Sequence, residues 1–254
     1  MATNHSTTYF YDTKMDREYY ILKTKAHNIK LVSFSKESGI DQTVKNIRDT
    51  SYYGMNASFF EPYNVKTDKN KHYFLYNIAY QDGKPLASTS LYGDAVQNQA
   101  GSSVITFNGT SLGYVSGVTD GSNASIPKAS GTWAQGGRGL YLCDSGWLTK
   151  YNSEPGTGVP ATNHADHRTA VLVNLYLNDV YLFFARTQST TVAELRQGMM
   201  SYVGISDSTA NNLSWRGLLT DGGKSSQLRG EGVNAYSSIL PCAVPQIIAL
   251  KDKT

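Results

Sequence analysis

The chain has 254 residues, 40% of them hydrophobic, 17% charged and 11% aromatic, with 23 Gly and 7 Pro. That balance excludes a disordered polymer, a collagen-like repeat and a coiled coil, and the length suits one domain, 1–254, with 1–17 at its periphery. The 23 basic and 20 acidic residues leave a net +3 and form no basic run, so nucleic acid is not an expected partner.

Residues 1–16 are polar and lack the apolar core of a secretory signal, and no apolar stretch reaches bilayer length. A soluble chain with no membrane span is expected, with residence in the cytoplasm, at a cell surface or in a phage particle left open. Residues 18–35 hold two apolar bursts, Tyr19-Tyr20-Ile21-Leu22 and Ile29-Lys30-Leu31-Val32, around a polar turn at 24–28, which predicts a hairpin. Ile40, Val44 and Ile47 then recur at helical spacing, so a short amphipathic helix is expected over 38–49, followed by a strand over 52–60.

From 73 to 118, short apolar runs broken at Asp82-Gly83, Tyr92-Gly93 and Asn108-Gly109 read as a β meander. A Gly/Ser-rich loop is expected over 116–139 and a polar loop over 152–166. Strands are expected at 169–177 and 180–185. The clearest helix covers 192–203: Thr191 and Glu194 form a capping box, Leu195, Met199 and Tyr202 share a face, and Gly204 suits the C-terminal cap. Residues 245–250 read as a closing strand. Cys143 and Cys242 are too few for a disulfide framework or a four-ligand zinc site and are expected as buried thiols. Together these elements predict an α+β fold, a mostly antiparallel curved sheet core with two main amphipathic helices.

Three segments carry chemistry. In Leu218-Leu219-Thr220-Asp221-Gly222-Gly223-Lys224-Ser225-Ser226, an apolar strand ends in an acid, two glycines and two hydroxyls, which suits a cradle for an anion or a sugar. Alone, it serves equally as a Gly-Gly turn with a capping Asp. In the segment from Tyr53 through Asn56 to Phe60 and Glu61, small residues leave room for the Asn amide to reach a ligand. In Asn163-His164-Ala165-Asp166-His167-Arg168-Thr169, the spacing lacks a third ligand from elsewhere, so no metal is expected. Arg168, at a strand entrance, can grip a phosphate with two parallel hydrogen bonds.

Taken in order, these segments resemble the phosphodiester glycosidase family. The likeness rests on the short helix followed by Asn56 to Phe60, the Gly136-Gly137 to Gly146 stretch as a strand and turn, Arg168-Thr169-Ala170-Val171, the helix at 192–203, Asp221-Gly222-Gly223 with Ser225, and the closing strand. Lys224 departs from the family pattern, which most often has a third glycine there, and Ala57-Ser58 replaces a small Gly pair. The resemblance implies a hydrolase that cleaves between a sugar's anomeric carbon and phosphate, acting on an N-acetylglucosamine-like or teichoic-acid-type glycan. It places Asn56, Arg168, Asp221, Gly222, Gly223 and Ser225 in one pocket. Arg168 and the Gly222 and Gly223 amides would bind the phosphodiester, with Ser225 or Ser226 adding a hydroxyl and Thr169 and Lys224 close by. Asp221 would activate water or stabilise an oxocarbenium-like centre, with Glu61 as its partner. No cofactor is implied. The same cradle would serve a non-catalytic sugar-phosphate or cell-wall glycan binder, such as a phage tail module. No Ser stands in a nucleophile-elbow pattern, which argues against a serine hydrolase.

Overall fold

The computed structural model describes residues 4–34, 45–62, 73–75, 77–86, 102–118, 121–154, 160–209, 214–237 and 242–252, with backbone alone at 61, 62, 73, 74 and 102. The described residues contain two α-helices and mostly antiparallel strands. This is the α+β arrangement that the patterning predicts.

The chain opens with a hairpin of β1 (His5–Asp12) and β2 (Arg17–Lys25), in which His5 opposes Thr24 and Asp12 opposes Arg17. The expected pairing of β2 with the next strand does not occur. A 3-10 turn, Ala26–Asn28, carries the chain into β3 (Ile29–Ser33), which belongs to a different sheet. Long-range bonds hold the turn in this direction: the Ala26 amide donates to the Asn178 carbonyl at 2.8 Å, and the Lys251 amide to the Asn28 carbonyl at 2.8 Å. The Asn28 side chain also reaches Asp252 at 3.0 Å. Tertiary partners thus outweigh the local turn preference.

The helix expected over 38–49 falls mainly outside the described residues, and its end is a single 3-10 turn at Ile47–Asp49. Short strands follow: β4 (Gly54–Asn56), β5 (Phe60–Pro62), β6 (Tyr73–Leu75), β7 (Ala79–Gln81) and β8 (Lys84–Pro85). Asp82 and Gly83 make the β7–β8 turn with φ of 54° and 74°; Tyr92-Gly93 lies outside the described residues. Asn108-Gly109 turns β9 (Ser102–Phe107) into β10 (Leu112–Val118).

The Gly/Ser-rich loop ends earlier than expected, because 133–139 is a wholly buried strand, β11 (Trp133–Gly139). Its glycines serve close packing: a Cβ on Gly137 would stand 2.3 Å from the Leu219 carbonyl oxygen, so a side chain there would push neighbouring strands apart. A helix the pattern did not predict, α1 (Trp147–Ser153), follows. Then come β12 (Thr169–Asn174), β13 (Asp179–Ala185), α2 (Val192–Val203), β14 (Trp215–Leu219), β15 (Gln227–Gly230), β16 (Val233–Tyr236) and β17 (Gln246–Leu250). In α2, Thr191 and Glu194 form the capping box and Gly204 closes the helix at φ 71°.

One sheet of ten strands has the path β1-β2-β13-β12-β14-β11-β7-β8, with β9 and β10 attached at β11; a second of five runs β16-β15-β4-β17-β3. The main core lies between them, where Leu22, Val171, Leu182 and Leu218 meet Leu31, Met55, Leu228 and Ile248. The other face of the large sheet carries Ile21, Leu172, Phe183 and Leu219 under Leu195, Met199 and Met200 of α2. Being covered on both faces explains why β12 and β13 are buried along their whole length and read as continuous apolar runs. Neither helix is long and apolar enough to cross a membrane. Cys143 is partly buried, but Cys242 is exposed, against the expectation of two buried thiols. Its backbone is held through bonds to Lys224 and Gln227, so the sulfur need not be packed to fix the chain there.

Candidate active site

β14 lies between β12 and β11, and its C-terminal end delivers Asp221 to a gap between the two sheets. The Thr220 amide still donates to the Thr169 carbonyl at 3.1 Å, whereas the Asp221 amide turns away to the Ala57 carbonyl at 2.9 Å. The Asp221 carbonyl accepts from the Asn56 amide group at 2.7 Å and from the Thr169 hydroxyl. Asn56 also accepts from the Gln227 amide at 2.9 Å and donates to the Thr169 hydroxyl at 3.1 Å. The main chain at Asp221 is therefore clamped from β4 and β12.

The half-buried Asp221 carboxylate accepts from the Gly222 amide at 2.9 Å and from the Ser225 hydroxyl. Burial pushes its pKa up to about 7, against the opposing pull of Ser225, the Gly222 amide and Arg168. Desolvation of the charged form is the larger effect here. Arg168 is 3% exposed. It donates to the His164 carbonyl at 2.7 Å and the His167 carbonyl at 3.3 Å, and lies 3.0 Å from His164 Nδ1. Its Nε has no partner among the described residues. Burial lowers the Arg168 pKa, and the charges of Asp166, Tyr151 and Asp221 oppose that shift.

These groups border a cleft of about 340 Å³, the size of a small-ligand site. Its walls include Phe59, Pro160, Ala161, His164, Asp166, Arg168, Asp221, Gly222 and Gly223. Asp166 accepts from the His167 amide at 2.7 Å, and its backbone bridges to Thr190. Gly223 is in the left-handed region at φ 60°, and a Cβ there would stand 3.0 Å from Asp166 Oδ2.

The structure brings Asn56, Arg168, Thr169, Asp221, Gly222, Gly223 and Ser225 together, but with changed roles. The Gly222 and Gly223 amides are not available to a phosphate, since the first donates to Asp221 and the second to the His167 carbonyl at 2.8 Å. Asn56 and Thr169 are fully buried and spend their polar groups on the Asp221 backbone. Ser225 holds the carboxylate, Ser226 is fully buried and not part of the cleft wall, and Lys224 is exposed outside it. The side chain of Glu61 lies outside the described residues; its backbone pairs with Phe74 in β5 and β6. The cleft instead gains Asp166 and His164 from the segment before β12. The density of polar residues over 163–169 is visible in the sequence, but without a third metal ligand the spacing singles out Arg168 alone.

The fold is similar to that of solved proteins. One is the catalytic domain of zebrafish N-acetylglucosamine-1-phosphodiester alpha-N-acetylglucosaminidase, auto-inhibited by its pro-peptide. It aligns at a TM-score of 0.59 and 11% identity over 97% of this chain and 82% of that one. Another is a Burkholderia pseudomallei protein described as exported, at a TM-score of 0.55 and 11% identity over 92% of this chain and 74% of that one. At such identity the likeness speaks for the fold alone. No family model matches the sequence, nor does any curated protein.

Proposed function

We propose that this chain is a phosphodiester glycosidase, hydrolysing the bond between a sugar's anomeric carbon and the phosphate of a sugar-1-phosphodiester. The observation that carries the reading is the pairing, in the wall of one cleft, of a carboxyl group poised to ionise near neutrality with the Arg168 guanidinium. The fold likeness to an enzyme named for a sugar-1-phosphodiester supports the same substrate class.

In this reading Arg168 holds the phosphate oxygens, a charge-assisted contact strengthened by the low-dielectric surroundings. Asp221 in its ionised form takes a proton from water, the water oxygen bonds to the anomeric carbon, and the carbon–oxygen bond breaks with its electron pair leaving on the phosphate. The departing phosphate monoester is weakly basic, so stabilisation by Arg168 replaces much of the proton donation that a sugar leaving group needs. Asp166, the second carboxylate in the wall, faces the positive charge that builds on the sugar ring. Asn56, Thr169 and Ser225 are positioning residues that fix Asp221.

The test is release of free N-acetylglucosamine from its methyl phosphodiester, compared between wild type and Asp221→Asn. Turnover by the wild type and its loss in the variant support the assignment. Binding of the diester without release by the wild type would make the cleft a glycan-binding module.

A further inference from the structure

Arg168 is buried, and its Nη2 is spent on one neighbour: it donates to the His164 carbonyl at 2.7 Å and to the His164 ring at Nδ1, 3.0 Å away. A guanidinium has donors and no acceptor. Nδ1 must therefore accept, and the neutral imidazole carries its proton on Nε2. The main chain around the ring is held as well, since the His164 amide donates to the Ala161 carbonyl at 3.0 Å and Asp166 bridges to Thr190. His164 itself is exposed and belongs to the wall of the cleft. Its Nε2 has no partner among the described residues.

We infer that His164 is a substrate-binding residue that donates its Nε2–H to a non-bridging oxygen of the substrate phosphate, with Arg168 as the positioning residue that fixes its tautomer. Hydrogen bonds in series polarise one another. The guanidinium draws electron density from the ring through Nδ1, which makes Nε2–H a stronger donor to an anion. The charge of a buried arginine is thereby carried into the cleft by a ring that reaches solvent. A sugar hydroxyl could accept the same proton, but an anionic oxygen gains more from a donor backed by a cation. A metal ion at Nε2 is disfavoured for the same reason, because it would share the ring with that positive charge. The Arg168 charge also offsets the repulsion that Asp166, in the same wall, exerts on an anion. The inference rests on the glycosidase reading for the identity of the ligand; the proton on Nε2 does not depend on it.

The experiment is proton–nitrogen NMR of the histidine rings in the full chain carrying Asp221→Asn, with the His164 signals identified by their loss in His164→Ala. Spectra are taken alone and with methyl phosphate, with the methyl phosphodiester of N-acetylglucosamine, and with N-acetylglucosamine itself. His164 is expected to show a bare Nδ1 and a protonated Nε2; both phosphates should move the Nε2 signal, and the plain sugar should leave it in place. His164→Ala and His164→Asn should each weaken methyl phosphate binding about ten-fold or more. His164→Gln, whose amide nitrogen reaches as far as Nε2, should recover most of it, and the exposed position lets these variants keep the fold. Arg168→Met should leave the ring as a mixture of tautomers; should that variant fail to fold, the tautomer with Arg168 in place still decides. The inference is overturned by a proton on Nδ1, by an Nε2 that neither phosphate moves, by equal movement with the plain sugar, or by unchanged methyl phosphate binding in His164→Ala. Movement of Nε2 with the diester, from which the wild type releases no sugar, would refute the glycosidase reading and leave His164 as an anion-binding residue.

Discussion

Replacing Asp221 by Asn should make the protein more stable while removing the proposed hydrolysis, and the gain should depend on pH. The folded state holds the Asp221 pKa at about 7, against an ordinary value of 3.8, because burial penalises the charge. Between these values the native state keeps a proton that the unfolded chain has released. The stability associated with this group is therefore fully present below about pH 4 and is lost as pH rises through about 7. At ~1.4 kcal/mol per pKa unit the full effect approaches about 4 kcal/mol, and water at the open side of the half-buried carboxylate reduces it to about 2 kcal/mol. Asn keeps the acceptor for the Gly222 amide and offers an N–H to the Ser225 oxygen, so the neutral replacement removes the charge without stranding its neighbours. A chain of this length gains ~2–4 °C per kcal/mol. Thermal unfolding followed by circular dichroism should show Asp221→Asn melting about 4–8 °C above wild type at pH 8 and level with it at pH 4. A variant no more stable than wild type at pH 8, or equally stabilised at both pH values, would falsify the claim that the carboxylate is held ionised against its surroundings.

The same group sets a pH–rate expectation: kcat/KM for a sugar-1-phosphodiester should rise through an inflection near pH 7 as Asp221 ionises, and a flat profile from pH 5 to 8 would exclude it as the base. Arg168→Lys should lower kcat/KM about 100-fold or more, mostly through KM, since one ammonium cannot both serve the His164 carbonyl and grip a phosphate; steady-state kinetics with an unchanged unfolding curve would show this. Asn56→Ala should cost about 2–4 kcal/mol in denaturant unfolding, because the Gln227 amide and the Asp221 carbonyl each lose a buried partner. Gly223→Ala places a Cβ at φ 60° and 3.0 Å from Asp166, so a loss of about 1 kcal/mol and a displaced Asp166 are expected, readable as a fall in turnover that exceeds the fall in stability.

The elements that the sequence made legible are those whose signals are local. The capping box at Thr191 and Glu194, the Gly204 cap and the apolar runs of β12 and β13 each settle their structure within a few residues. The β2–β3 pairing failed because the Ala26–Asn28 turn is oriented by Asn178, Lys251 and Asp252, partners that no window around the turn contains. Glycines misled twice, for one reason. At Gly136 and Gly137 they admit a neighbouring backbone rather than loosen a loop, and at Gly222 and Gly223 they bend the chain so that its amides serve Asp221 and His167 rather than a ligand. A glycine reports that space or a turn is needed but not what fills it. Asp166 was missed because its contribution depends on the fold setting 160–168 against 220–223.

The arrangement around Asp221 explains how a destabilised carboxylate can be kept in place. Relaxation would require the backbone at 221 to swing outward, but its carbonyl is held by Asn56 and Thr169 and its amide by Ala57, groups rooted in strands buried on the core side. The penalty on the side chain is thus separated from the main chain that carries it: the clamp is neutral, buried and insensitive to pH, while the carboxylate belongs to the lining of the cleft. If the clamp were made by the carboxylate itself, ionisation and geometry would be coupled, and every protonation event would move the site. Keeping them apart leaves Asp221 free to gain and lose a proton near neutrality without altering its position. That property is what the proposed general-base role requires.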